Sequence, residues 1–348
     1  MNRRLASVRG GFVFIVLLLM GFSAHGARFP EGFSWCASTA AHQIEGGNYN
    51  NDWWEWEQTP GRIKNGETSE RATGSWELWR EDIEALKQLK ASRYRFSVEW
   101  ARIEPREGEF DQAVIARYLE QIRALRENGI EPFVTLHHFT NPIWFARKGG
   151  WSWPGAPEAF EKYVNRVAEA FGAEVDSWVT FNEPTVLGLA GYIEGIFPPG
   201  RKGDVADLVE PFRHILMAHA RVYPILHHFN PRARVGMAHH LRVFEPKSSW
   251  NPLDSWAADM ADKNINWALP RALESGRFTM YFPGKIDVDE VIEGLAGTHD
   301  FMGVNYYTRD LISVNLLSSR IIERSIPEGR PCPIWAGRSM SWRVFIGF

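Results

Sequence analysis

Short β-rich runs alternate with amphipathic helical stretches along most of this 348-residue chain. The strand candidates lie at residues 33–38, 92–98, 131–138, 177–183, 234–240 and 301–308. The clearest helix candidates are residues 76–90 and 112–128, the second closed by Gly129. This alternation predicts βα units around a parallel sheet. The chain is long enough, and at 45% hydrophobic apolar enough, for one large domain or two ordinary ones.

Polar residues collect at the carboxyl ends of the predicted strands, namely Gln43, Arg95, His138, Asn182, Glu183, Asn305, Tyr306 and Tyr307. In a barrel this edge of the sheet is the catalytic face. A doubly wound open sheet would also place ligands at strand ends, but it usually carries a glycine-rich phosphate loop after its first strand. The sequence has no such loop, which favours the barrel.

Charge and composition narrow the class of partner. A formal charge of -3 gives no electrostatic reason to bind nucleic acid or an anionic membrane surface. Sixteen Trp residues suit a large core, and their flat faces also suit sugar rings. Cys36 and Cys332 are too few for a disulfide framework or a thiolate metal site. The paired histidines, at 137–138, 227–228 and 239–240, face opposite sides if they lie in strands, so we predict no metal and no cofactor.

The N-terminus has the pattern of a secretory signal peptide. Arg3, Arg4 and Arg9 precede the apolar run at residues 11–22, and small residues follow it up to Gly26. We expect cleavage after Gly26 and a secreted or periplasmic protein, with no membrane attachment after cleavage. An uncleaved anchor is the alternative, although the run is shorter than the ~20 residues that span a bilayer.

Glu183 ends an apolar predicted strand and is followed at once by Pro184. Cleaving an acetal between sugars needs a proton for the leaving oxygen and a carboxylate on the other side of the ring. Partial burial is expected to raise the pKa of Glu183, so that it holds this proton near neutrality. The alternative is a carboxylate that caps the following helix.

Six blocks of sequence resemble glycoside hydrolase family 1, the β-glucosidase family. They are FSWCASTAAHQIEG at 33–46, YRFSVEW at 94–100, VTLHHF at 134–139, GGW at 149–151, TFNEP at 180–184 and FMGVNYY at 301–307. They occur in the family's order over about residues 29–308. The resemblance implies a TIM (β/α)8-type barrel at residues 27–330 and retaining, β-glucosidase-like hydrolysis of terminal β-linked sugars.

The resemblance also implies roles for single residues. Glu183 would be the acid/base, Gln43 and His138 would bind hydroxyls of the terminal sugar, and Asn182 would hold the hydroxyl beside the reacting carbon. Phe139 would stand at the substrate where the family usually has Trp, which keeps an aromatic face and loses an N–H donor.

Three further residues would surround the nucleophile in such an enzyme. Arg95 and Tyr307 would flank and orient its carboxylate, with Asn305 beside them in contact with substrate. Each also has an ordinary explanation, since Arg95 could belong to a buried ion pair, His138 could be a satisfied core histidine and Tyr307 could be a packing aromatic.

The family's nucleophile, carried by a Thr-Glu-Asn-Gly block, is missing from the sequence. Glu323 and Glu328 are the candidates downstream, and neither ends an apolar strand. We count about six of the eight βα units and expect residues 331–348 to be a tail outside the family pattern, produced by a frameshift at about Pro331. Coding DNA that does not continue into that block in the shifted frame would refute this hypothesis.

An incomplete barrel is expected to leave its first and sixth strands with unpaired edges and to hydrolyse little. The alternatives are therefore a retired enzyme that binds sugar or a non-functional fragment. Another barrel glycosidase family, such as a cellulase, is disfavoured by the blocks around Gln43 and Arg95.

Overall fold

The computed structural model describes residues 29–203, 205–315 and 322–325. The chain divides into two compact units, Met1–Phe33 and Ser34–Phe348. In the described part of the first unit, the Phe33 amide donates to the Pro30 carbonyl oxygen at 3.1 Å. The predicted signal peptide at 1–26 and the predicted tail at 331–348 lie outside the described residues. All elements named below belong to the second unit.

The described strands of the second unit are β1 (Cys36–Ser38), β2 (Arg93–Ser97), β3 (Glu131–His137), β4 (Ser177–Asn182), β5 (Arg234–Pro246), β6 (Arg277–Phe282), β7 (Ile286–Val291), β8 (Phe301–Val314) and β9 (Ile322–Ser325). Strands β1 to β5 and β8 pair in parallel, in chain order, as successive strands of a barrel do. β6 and β7 form a separate antiparallel hairpin. The sheet is therefore an incomplete (β/α)8 barrel with six parallel strands among the described residues.

The helices that connect and cover these strands are α1 (Ala41–Ile44), α2 (Asp52–Glu57), α3 (Ser75–Gln88), α4 (Trp100–Ile103), α5 (Gln112–Glu127), α6 (Ile143–Arg147), α7 (Ala156–Phe171), α8 (Pro184–Gly188), α9 (Val209–Phe229), α10 (Pro252–Ala261) and α11 (Ala268–Ser275). Gly129 follows α5 with φ at +71°, a left-handed conformation that glycine adopts without strain, and ends it as predicted. Within the described ranges, no helix is both long and apolar enough to cross a membrane.

The main core lies between the sheet and its covering helices. β4 is buried at all six positions because helices cover one face of the sheet and the neighbouring strands pack beside it. Trp100, Trp151 and Trp178 are fully buried in this layer. Each indole N–H keeps a partner, the Glu104 carboxylate at 2.7 Å for Trp100, for example, so burial leaves no unpaired donor.

All six predicted strands are confirmed, with ends that shift by up to six residues. β5 and β8 continue to Pro246 and Val314 because they go on pairing with each other after a register shift between Leu241 and Val243. The expectation of an unpaired edge on the sixth parallel strand is wrong in part. Its last four residues, from Leu311 onward, pair with antiparallel β9. Before Leu311, β8 pairs only with β5 among the described strands.

Candidate active site

A cleft of about 410 Å³ opens at the carboxyl ends of the parallel strands. It is lined by five of the predicted site residues, Gln43, His138, Phe139, Glu183 and Tyr307. A small cavity of about 20 Å³ adjoins it and is lined by Gln43, Arg95, His138, Asn182, Asn305 and Tyr307. The structure thus brings all eight predicted site residues together, from segments up to 264 positions apart in the chain.

Glu183 lies between β4 and α8 with φ at +49° and ψ at +55°. A left-handed conformation is uncommon for a residue other than glycine and is typical of functional sites that store backbone strain. The alternative role as a helix cap is wrong, because the Glu183 side chain makes no capping hydrogen bond to α8. Its carboxyl group is buried and directed instead toward β5 and β8.

Three side chains surround the Glu183 carboxyl group. Asn305 Nδ2 and the Tyr307 hydroxyl donate to Oε1 at 2.5 and 3.0 Å. His240 Nδ1 lies 3.6 Å from Oε2. The predicted rise in the pKa of Glu183 is wrong for this arrangement. Burial raises that pKa, but the donors from His240, Asn305 and Tyr307 outweigh burial and lower it below its ordinary value.

Arg95 fixes the direction of the neighbouring hydrogen bonds. It donates from Nη2 to Asn182 Oδ1 at 2.7 Å and from Nε to Thr135 Oγ1 at 3.0 Å. Since Asn182 Oδ1 is an acceptor, Asn305 must turn its Nδ2 toward both Asn182, at 3.2 Å, and Glu183. This chain of donors ends on Glu183 and favours its ionised form.

Arg95 itself is buried, and burial lowers the pKa of its guanidinium while the Glu183 charge raises it. The alternative of an ordinary buried ion pair is wrong within the described residues, where no carboxylate oxygen lies within 4.0 Å of the guanidinium. A buried guanidinium without a carboxylate partner is costly.

His138 and Phe139 follow β3 directly. Burial, then the charge of Arg95, holds the pKa of His138 well below its ordinary value, so the ring is neutral. Its Nε2 lies 3.4 Å from Asn182 Nδ2, and its buried Nδ1 has no hydrogen-bond partner among the described residues. His138 is therefore not a satisfied core histidine. Phe139 has φ at +72°, a second left-handed site residue, and its ring lies 5.6 Å from that of Phe197.

Two of the histidine pairs alternate as predicted for strands. His137 turns away from the cleft, where Asn141 Oδ1 is 3.0 Å from its Nε2. His239 and His240 separate in the same way, and only His240 lines the cleft. The strand argument does not apply to the third pair, because residues 227–228 lie in helix α9. In the described part of the chain, no group of three or more His, Cys, Asp or Glu side chains could hold a metal ion.

His240 and Arg242 are site residues that the sequence analysis missed. Both line the cleft, and Arg242 Nε donates to His240 Nε2 at 2.8 Å. A signal was present, because His240 ends the predicted strand 234–240 just as His138 ends the predicted strand 131–138. The sequence analysis treats the pair at 239–240 only as possible metal ligands.

The sequence and the fold of this chain are similar to those of known glycosidases. Residues 25–344 match the model of glycosyl hydrolase family 1. This chain belongs to glycosyl hydrolase family 1. It is 32% identical over 321 residues to β-glucosidase A of Thermotoga maritima, covering 86% of this chain and 71% of that protein. The β-glycosidase from Pyrococcus horikoshii superposes with a TM-score of 0.77 at 34% identity, covering 86% of this chain and 67% of the other.

A third comparison concerns a ligand complex. The Thermotoga maritima β-glucosidase solved with glucoimidazole superposes with a TM-score of 0.78 at 29% identity, covering 86% of this chain and 70% of the other. Family membership confirms the predicted barrel and the predicted reaction class, hydrolysis of β-linked glycosides by an O-glycosyl hydrolase. The family match extends to residue 344. The frameshift at about Pro331 stays a prediction, because residues 326–348 are outside the described part of the chain.

Proposed function

We propose that Glu183 is the acid/base of a retaining β-glycosidase site that takes the terminal sugar of a small β-glycoside or oligosaccharide. The observation that carries this proposal is the convergence of Glu183, Gln43, His138 and Asn182 on the cleft and the small cavity that adjoins it. Buried hydrogen-bonding atoms that lack partners, His138 Nδ1 and Asn305 Oδ1, are suited to sugar hydroxyls. The similarity to a relative named β-glucosidase A supports a β-linked sugar as the substrate.

The proposed reaction has two steps. In the first, a second carboxylate bonds to the anomeric carbon while the bond to the leaving oxygen breaks, and Glu183 gives its proton to that oxygen. In the second, Glu183 takes a proton from water as the water oxygen bonds to the same carbon and the ester bond breaks. Asn182 would hold the adjacent hydroxyl more strongly as charge develops.

The second carboxylate would stand beside Arg95, Asn305 and Tyr307. In the described part of the site, Arg95 Nη2 donates to Asn182, while Asn305 Nδ2 and the Tyr307 hydroxyl both donate to Glu183. Glu323, one of the two downstream candidates, accepts from Asn315 in the β8–β9 region instead. Glu328 is outside the described residues. We propose that this site has its acid/base and its orienting groups but, among the described residues, no nucleophile, and that unaided turnover is therefore low.

External formate tests this proposal, because it can supply the missing carboxylate. In the full chain we expect formate to accelerate release of phenol from both 2,4-dinitrophenyl and phenyl β-glucoside, by forming a glucosyl formate. Glu183→Gln should sharply reduce the rate with phenyl glucoside, whose leaving group needs a proton, and change the rate with the dinitrophenyl compound much less. Equal loss on both substrates would count against the acid/base role.

A second candidate function is sugar binding without turnover. It is favoured by the donors around Glu183, which leave it without the proton that the first step needs. Titration with glucoimidazole separates the two functions. Binding without any formate-dependent release would establish the binding protein, and absence of both binding and release would exclude both candidates.

We also propose that residues 1–26 direct secretion to the periplasm or the medium. The apolar run at residues 11–22, its preceding arginines and the small residues after it support this. N-terminal sequencing of the protein from its native host should begin at Ala27. A chain that keeps its first residues and fractionates with membranes would instead indicate the uncleaved anchor.

A further inference from the structure

Four polar side chains form a row that ends on Glu183. Asp310 of β8 accepts from Arg242 Nη1 at 2.8 Å, Arg242 Nε donates to His240 Nε2 at 2.8 Å, and His240 Nδ1 lies 3.6 Å from Glu183 Oε2. Asp310, His240 and Glu183 are all at least 96% buried. His240 and Arg242 are two residues apart on β5, so both can face the cleft.

The direction of these hydrogen bonds fixes the tautomer of His240. A guanidinium group only donates, so the Nε2 atom that faces Arg242 must be an acceptor and carries no proton. With Nε2 as the acceptor, the ring proton of His240 sits on Nδ1, the nitrogen that faces Glu183. Asp310 holds Arg242 in place through its own ion pair, which makes reversal of the ring unfavourable.

His240 faces the same carboxylate from the other side, with its buried Nδ1 3.6 Å from Oε2 and just beyond hydrogen-bond length. Asn305 and Tyr307 both donate to Oε1 of Glu183, and His240 is the described side chain that approaches Oε2. The His240 and Tyr307 rings lie 5.1 Å apart, so they support each other beside the carboxylate. The charged and titratable groups that face Glu183 are thus Arg95 from β2, His240 from β5 and Tyr307 from β8.

We propose that His240 is a positioning residue that holds Glu183 as a carboxylate, and that Arg242 and Asp310 keep the His240 ring in the tautomer which does so. This inference rests on the proposed function of Glu183. A carboxylate is ready for the second step of hydrolysis, in which Glu183 acts as a base, and unfavourable for the first, in which it must be protonated. The arrangement therefore selects β-glycosides of acidic alcohols, such as phenols, whose departure needs little protonation.

The ionisation of Glu183 tests the proposal without any turnover. The full chain labelled with ¹³C at glutamate side-chain carboxyls would be titrated by NMR, and the Glu183 signal assigned by its loss in Glu183→Gln. We expect His240→Phe to move the Glu183 midpoint to higher pH, because a donor to the ionised form is lost. His240→Asn keeps an N–H donor near the Nδ1 position and should restore a low midpoint.

His239 supplies the matched control. It is the adjacent residue of β5, it is equally buried, and it does not line the cleft. His239→Phe should perturb β5 packing to a comparable degree and leave the Glu183 midpoint unchanged. An identical midpoint in wild type and His240→Phe overturns the proposal. If His240→Phe does not fold, Arg242→Leu is used, which removes the donor to Nε2. ¹⁵N shifts of His240 that still place its proton on Nδ1 in this variant overturn the tautomer argument.

Leaving-group dependence distinguishes this inference from the proposed function. With formate present, rates for aryl glucosides should depend steeply on phenol acidity in wild type and less steeply in His240→Phe. An unchanged slope in the variant contradicts the selective role of His240, even where Glu183→Gln behaves as an acid/base variant should. Conversely, a dependence of rate on phenol acidity that is unchanged in Glu183→Gln refutes the proposed function. The NMR titration of His240→Phe then still decides whether His240 controls the ionisation of Glu183.

Discussion

The location of Glu183 was predictable from its own segment, but its ionisation was not. An apolar strand followed by Pro184 placed the carboxyl at a strand end, which β4 and α8 confirm. The groups that lower its pKa come from β5 and β8, between 57 and 124 positions away in the chain. The sequence around Glu183 indicates burial, which raises the pKa. It does not indicate the donors that lower the pKa, because their positions depend on how β4, β5 and β8 align.

Phe139 is the residue at which this chain departs from the usual family pattern. Its ring lines the cleft but has no hydrogen-bond donor. Phe139→Trp keeps an aromatic face and adds an indole N–H. We expect this variant to bind glucoimidazole more tightly by about 1 kcal/mol, the worth of one hydrogen bond, which is roughly fivefold in Kd. Isothermal titration calorimetry measures the change directly.

The control for this variant is Phe197→Trp, which enlarges a second aromatic ring of the same cleft. Phe197 packs edge-on against Phe139 and lies outside the six sequence blocks that resemble the family. Similar tightening in both variants would attribute the gain to added apolar area. Weaker binding in Phe139→Trp alone would show that the larger ring obstructs the sugar.

At the level of elements, the parallel strands were predictable and the antiparallel ones were not. Short apolar runs at regular spacing identified all six parallel strands, because the central strands are almost wholly buried, β4 at every position, and must be apolar. The β6–β7 hairpin was missed because it lies outside the sheet and buries only alternate residues, such as Phe278 and Met280. Its turn at residues 283–285 includes Gly284 with φ at +70°, which was a usable signal.

The close approach of β5 and β8 also depends on an element-level detail. A Cβ atom on Gly236 would lie 2.4 Å from the backbone oxygen of Phe301. Only glycine therefore allows these strands to pair at this spacing. The pairing aligns His240 with Asn305 and so brings two of the Glu183 donors side by side. Gly236 therefore affects the site indirectly, by allowing the alignment of β5 with β8 that places His240 beside Asn305.

At the scale of the whole molecule, the described strands form a sheet with edges that a closed barrel would lack. β4 is paired on both sides, by β3 and β5, whereas β1 pairs only with β2 among the described strands. β8 has β5 on one side and meets β9 only from Leu311 onward. Unpaired N–H and C=O groups along such edges are templates for strand addition from a second chain. The described edges thus predict self-association through β1 and β8.

Hydrogen exchange at two protein concentrations tests this prediction. At low concentration we expect the amides of β1 and of β8 before Leu311 to exchange faster than those of β4, since among the described strands β1 and this part of β8 each pair on one side only. At high concentration, pairing between chains should slow exchange at both edges and leave β4 unchanged. Light scattering at the same concentrations reports whether mass increases in parallel. Edge exchange that does not depend on concentration, together with a constant monomer mass, would mean that these edges are protected within a single chain.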